Sequence, residues 1–90
     1  MFCIKYKNIF QKDLDRAKKR GKDLAKLKEV MRLLVEGKQL PSIFRDHVLI
    51  GNYKDRRECH IEPNWLLIYK KEIDTIIFER TGTHSDLFNS

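Results

Sequence analysis

Trp65-Leu66-Leu67-Ile68-Tyr69-Lys70 is a run of five apolar residues closed by a lysine. Apolar side chains on both faces are what a strand in the middle of a sheet needs, so this stretch predicts a central strand. Two further strand-like runs flank it, at about 55–61 and about 75–81. Lys71-Glu72-Ile73-Asp74 has the length of a hairpin turn. Further upstream, residues 38–46 read as a connection broken by Pro41.

The first third of the chain has another period. Residues 2–7 (Phe-Cys-Ile-Lys-Tyr-Lys) predict a short strand. Asn8 can cap the next element, with Gln11 spaced as in a capping box. Phe10, Leu14 and Ala17 then recur at helical spacing. Lys18-Lys19-Arg20-Gly21 supplies positive charge and a glycine stop, both favourable at a helix C-terminus. A second helix is expected from about Lys22 to Glu36, with Leu24, Leu27, Val30/Met31 and Leu34 on one face and Gly37 as its stop. The order is β-α-α-β-β-β. That predicts an α+β fold in one domain over 1–90, a helical hairpin packed on a small antiparallel-rich sheet. The tail from Gly82 to Ser90 is expected to dock through Leu87-Phe88.

Charge is divided unevenly. The net charge of the chain is +6, but residues 1–45 hold 13 Lys and Arg against 5 Asp and Glu, a balance of +8, whereas residues 46–90 hold 6 against 8. A one-sided basic surface attracts polyanions without reading their sequence; it also serves as a solvated helical face. Cys3 and Cys59 show no metal-binding spacing and read as buried, reduced thiols, which suits the cytoplasm. Residues 1–20 lack the apolar core of a signal peptide, and no apolar run has the roughly 18 residues needed to span a membrane.

The unusual chemistry lies in His60-Ile61-Glu62-Pro63-Asn64-Trp65 and in Phe78 to Phe88. Histidine takes and gives protons near neutral pH, and the planar fork of arginine matches phosphate oxygens. The simplest chemistry using both is cleavage of an RNA phosphodiester. His84, His60 and His47 are the acid–base candidates; the competing reading of each is a histidine that only orients its own loop or strand. Arg80 has either a phosphate or a carboxylate partner, Glu62 or Asp86. Trp65 and Phe88 either stack on a base or belong to the core and the tail. Lys18, Lys19 and Arg20, with Lys26 and Lys28, would bind RNA backbone collectively. The spacing 47–60–84 matches no standard metal motif, and Arg80 nearby disfavours a cation, so no metal and no cofactor are expected.

Asp46-His47-Val48-Leu49 followed by Gly51, Arg57-Glu58-Cys59-His60-Ile61-Glu62-Pro63 before Trp65, Leu67-Ile68-Tyr69, and Arg80-Thr81-Gly82-Thr83-His84-Ser85-Asp86-Leu87-Phe88 stand in an order that resembles the YafQ-type toxins of the RelE/ParE superfamily. The resemblance covers nearly the whole chain. It implies a RelE-like fold and a ribosome-associated mRNA endonuclease, metal-independent and cytoplasmic, neutralised by a small acidic antitoxin that is partly disordered when free. It also implies an active site of His47, His60, Trp65, Arg80, His84 and Phe88. At Asn64 the family pattern has Asp; Asn keeps a hydrogen bond but carries no charge, so if that Asp helps to charge a histidine in the family, this chain does it more weakly or through another group, Glu62 or Asp86. Two rivals are a ParE-like inhibitor of DNA gyrase and a basic nucleic-acid-binding module. A pure binder does not need three histidines around an arginine, and a lysine-rich hairpin suits backbone rather than base edges.

Overall fold

In the computed structural model, residues 1–88 are described; Asn89 and Ser90, the end of the expected tail, lie outside the described residues. Strands β1 (Cys3–Tyr6), β2 (His47–Val48), β3 (Arg57–Glu62), β4 (Trp65–Lys71) and β5 (Thr75–Gly82) form one sheet in the order β1-β5-β4-β3-β2. Helices α1 (Asn8–Lys19) and α2 (Leu24–Val35) follow β1, and α3 (His84–Phe88) ends the described chain. The expected α+β fold is present, with β4 at the centre of the sheet. The parallel pair β1–β5 makes the sheet mixed, and every other pairing is antiparallel. The two-residue strand β2 and the short helix α3 had no periodic signal, because neither is long enough to show one.

The core lies between the helices and one face of the sheet. Phe10, Ala17, Leu27, Val30 and Leu34 meet Cys59, Ile61, Trp65, Leu67, Tyr69, Ile76 and Phe78. Each large apolar side chain buried here contributes about 1.5–3 kcal/mol. Both helices end in Schellman turns: Lys22 N–H bonds Ala17 O across Gly21, and Lys38 N–H bonds Leu33 O across Gly37. These two glycines have φ of 77° and 76°, which L side chains rarely adopt.

Two local expectations are corrected. Asn8 does not cap α1; Lys7 holds the cap position and no side chain bonds there. The side-chain cap is on α2, where Asp23 accepts from Ala25 N–H. Cys3 is exposed rather than buried, because β1 is the edge strand, whereas Cys59 is buried in the core. Burial keeps the Cys59 thiol well above its usual range, so it stays protonated. No helix among the described residues is long and apolar enough to cross a membrane.

Candidate active site

Side chains alternate across a strand, so the register decides which residues share the face turned away from α1 and α2. His47 pairs with Glu58, Glu58 with Ile68, His60 with Leu66, and Ile68 with Arg80. These residues occupy one face. Its apolar floor is a second, small cluster: Leu66, Ile68 and Leu87, with Leu49 and Tyr53 against them. Helix α3 closes one end and brings His84 and Phe88 over the sheet.

The three histidines form a row. Ring centroids of His47 and His60 are 6.2 Å apart, His60 and His84 5.9 Å, and His84 and Phe88 6.4 Å. Glu58 lies beneath the first pair: its Oε1 is 3.4 Å from His47 Nε2 and 3.3 Å from His60 Nε2. This carboxylate, 5% exposed, is the residue the sequence reading missed. The signal was present, since a carboxylate two positions before a histidine in a strand shares its face.

His84 is held by Asn64. Asn64 Oδ1 accepts from the His84 backbone N–H at 3.1 Å and lies 2.7 Å from His84 Nδ1. Because that oxygen already accepts from a backbone N–H, it can only accept from the ring, so Nδ1 carries the proton and Nε2 keeps its lone pair. His47 Nδ1 faces Arg45 O at 2.6 Å, and a carbonyl likewise only accepts, so Nδ1 donates there too. The face thus offers one nitrogen free to take a proton, at His84, and two nitrogens beside a carboxylate.

Arg80 is not partnered as expected. Its Nε and Nη2 bond Asp13 of α1 at 2.8 and 3.2 Å. Helix α1 runs beside the stretch of β5 that β1 leaves uncovered, and Asp13 also accepts from Thr81 N–H and from Arg16. Asp13 holds the Arg80 guanidinium charged above its ordinary range, against burial, with the Tyr53 hydroxyl adding to the effect. Neither proposed partner is near. A β-bulge between His60 and Glu62 turns Glu62 to the Trp65 side, where it pairs with Lys22 and Lys26. Asp86 pairs with Arg20 at 2.7 Å, a bond that holds its carboxyl far below the usual range. Neither acid therefore stands in for a charged residue at position 64.

Arg20 consequently clamps α3 onto α1 instead of offering a free cation. Gly82 makes room for that clamp, since a Cβ there would meet Asp86 Oδ2 at 2.9 Å. Lys18 and Lys19 are exposed on the last turn of α1, with no ion pair among the described residues. Trp65 is core: it is 1% exposed and donates its indole N–H to Thr81 Oγ1 at 2.9 Å, so it offers no stacking surface. Phe88 is 38% exposed and packs edge-on against Tyr53 at 5.5 Å, with its other side open. No group of three or more His, Cys, Asp or Glu among the described residues has the geometry of a metal site.

The family described as bacterial toxin of type II toxin–antitoxin system, YafQ, matches residues 2–89. The mRNA interferase toxin YafQ of Escherichia coli K12 is 46% identical, with 94% of each chain covered. Among solved structures, YafQ in the E. coli DinJ–YafQ complex is similar with a TM-score of 0.92 and 45% identity, covering 98% of this chain and 99% of that one. A metal-bound toxin from Helicobacter pylori has a TM-score of 0.91 and 39% identity, covering 98% of this chain and 100% of that one.

Proposed function

The chain belongs to the YafQ family of bacterial toxins of type II toxin–antitoxin systems, and from that premise we propose that it is an mRNA interferase, an endoribonuclease that stops translation. The observation that carries this reading is the row of His47, His60 and His84 beside the shared Glu58 carboxylate. Three imidazoles at that spacing suit proton transfer on both sides of one phosphodiester.

In the reaction, the 2′-hydroxyl oxygen attacks phosphorus and the P–O5′ bond breaks. Nε2 of His84 takes the 2′-hydroxyl proton, its ring held in the working tautomer by Asn64. His60 returns a proton to the leaving O5′, with Glu58 steadying the charged ring and His47 beside it. Arg80 offsets the charge that grows on the phosphate oxygens. The open face of Phe88 stacks a base, braced by Tyr53. The products are a 2′,3′-cyclic phosphate and a 5′-hydroxyl, and no step calls for a metal.

Lys18 and Lys19 meet RNA backbone, which suits work on the ribosome in the cytoplasm. Regulation is by a cognate antitoxin, and the DinJ–YafQ complexes of the E. coli relative support a partner of that kind; the basic half of this chain suits one that is small, acidic and partly disordered when free. The test is cleavage of translated mRNA by purified protein added to a translation reaction. His84→Ala should lose about 10²–10⁴ in rate with little change in melting temperature; Arg80→Ala should lose as much and melt earlier, because the buried Asp13 loses a partner. Wild-type cleavage by both variants would move the site elsewhere.

A further inference from the structure

The three histidines are not equally supported. His60 sits within the six-residue strand β3, and the backbone N–H of His84 is bonded to Asn64. His47 stands on β2, a strand of two residues at the edge of the sheet, and its side chain is half exposed. So short a strand brings few ladder bonds to hold a ring in place. Asp46, one residue earlier, turns to the helix side of the sheet. There its carboxylate accepts from the Tyr69 hydroxyl at 2.6 Å and from Arg57 Nε and Nη2 at 3.3 and 3.1 Å. Tyr69 belongs to the central strand and is buried among the core residues, so Asp46 is anchored to the most rigid part of the domain. Burial, and then the carboxylate itself, push the Tyr69 hydroxyl well above its usual range and keep it a donor.

We propose that Asp46 is a positioning residue for RNA cleavage: from the far side of the sheet, its carboxylate fixes the backbone turn that aims the His47 ring. This rests on the endonuclease reading above. The turn is at Arg45, whose φ of 50° and ψ of 42° lie in the left-handed region. A residue with a Cβ stays there only when its surroundings over-determine it. On one side the Arg45 N–H bonds Ser42 O at 3.0 Å. On the other, Asp46 is tied to Tyr69 and Arg57. The turn brings Arg45 O to His47 Nδ1 at 2.6 Å and leaves Nε2 beside Glu58. Freed from the Asp46 anchor, Arg45 relaxes toward an ordinary φ and its carbonyl leaves the ring. The ring then rotates about its own side-chain bonds and loses its place beside His60. The same carboxylate holds Arg57 charged above its ordinary range, so the anchor is a charge pair reinforced by a hydroxyl.

The experiment compares Asp46→Asn and Tyr69→Phe with wild type, by RNA cleavage and by NMR of the histidine rings. Asparagine keeps the shape of Asp46, but in either orientation its NH₂ group faces the Arg57 guanidinium. Asp46→Asn should lower kcat about 10–100-fold with KM for RNA little changed. Tyr69→Phe, which loses one hydrogen bond, should lower it about fivefold. In both, the Nδ1 proton of His47 should exchange faster with water, while that of His84 is unmoved. In a His47→Ala background neither substitution should slow cleavage further, because the carboxylate acts only through that ring. A wild-type kcat in Asp46→Asn overturns the proposal. So does a wild-type His47 Nδ1 resonance beside a slowed reaction, which would make Asp46 structural only. Should Asp46→Asn melt early, Tyr69→Phe decides by the same resonance and the same cycle. Cleavage by His47→Ala at the wild-type rate would instead strike at the endonuclease reading of the histidine row, with the resonance still judging the anchor.

Discussion

The two faces of one sheet have opposite polar economies. On the helix side the buried polar groups are spoken for: Trp65 donates to Thr81, Thr81 to Leu66 O, and Tyr69 to Asp46. Among the described residues no buried side-chain nitrogen or oxygen lacks a partner. On the histidine side, nitrogens and a guanidinium are left with capacity to spare over a thin apolar floor. Adjacent residues of the same strands supply both, Cys59 inward and His60 outward. The lesson is that stability is concentrated on one face and chemistry on the other, with Asp13 and Arg80 bridging them at the sheet edge.

That division can be broken at the bridge. Asp13→Ala removes a carboxylate that is 2% exposed and serves Arg16, Arg80 and Thr81 N–H. Leaving a part-buried guanidinium unpaired should cost about 3 kcal/mol, read as a lower denaturant midpoint, and should reduce cleavage as well. A variant as stable as wild type would show that the bridge carries no weight.

Glu58→Gln tests the chemical face alone. It keeps the shape and removes the charge shared by His47 and His60, so cleavage should fall by roughly 10–100-fold with the midpoint little changed. An unchanged rate would remove Glu58 from the site. Asn64→Asp tests the other end of the row. A negative charge against His84 Nδ1 favours the protonated ring, so the acidic limb of the pH–rate profile should move to higher pH. A superimposable profile would mean that the contact does not reach the reaction.

Trp65→Phe tests the stability face. It should cost about 1 kcal/mol, for the lost bond to Thr81, and leave the cleavage rate unchanged. A large rate loss at unchanged stability would return Trp65 to the site. The smallest effect is at the clamp on α3. The Asp86 carboxyl is held low chiefly by Arg20. A depressed carboxylate stabilises above its unfolded pKa, about 3.9, and that contribution fades as pH falls toward the folded value. Wild type should thus be more stable than Asp86→Asn at neutral pH, with the gap closing below about pH 4 in thermal melts. A constant gap would show that the charge is not what holds α3.

Much of this was legible in the residues themselves. The apolar run at 65–69 set the central strand, and helical spacing with Gly21 and Gly37 set the hairpin, because period and backbone freedom are local properties of the chain. The histidines stood out for the same reason, through their chemical type. Partners were another matter. Arg80 pairs with Asp13 across 67 positions, and nothing near either residue announces it. The single bulge after His60 sends Glu62 to the lysines rather than to the histidines, and the position of α3 spends Arg20 on Asp86. Trp65 became core and Phe88 stayed open by the way the layers met. Those outcomes depend on register and on how helices lie on the sheet, which are set by the packing of the whole domain and leave no periodic trace along the chain.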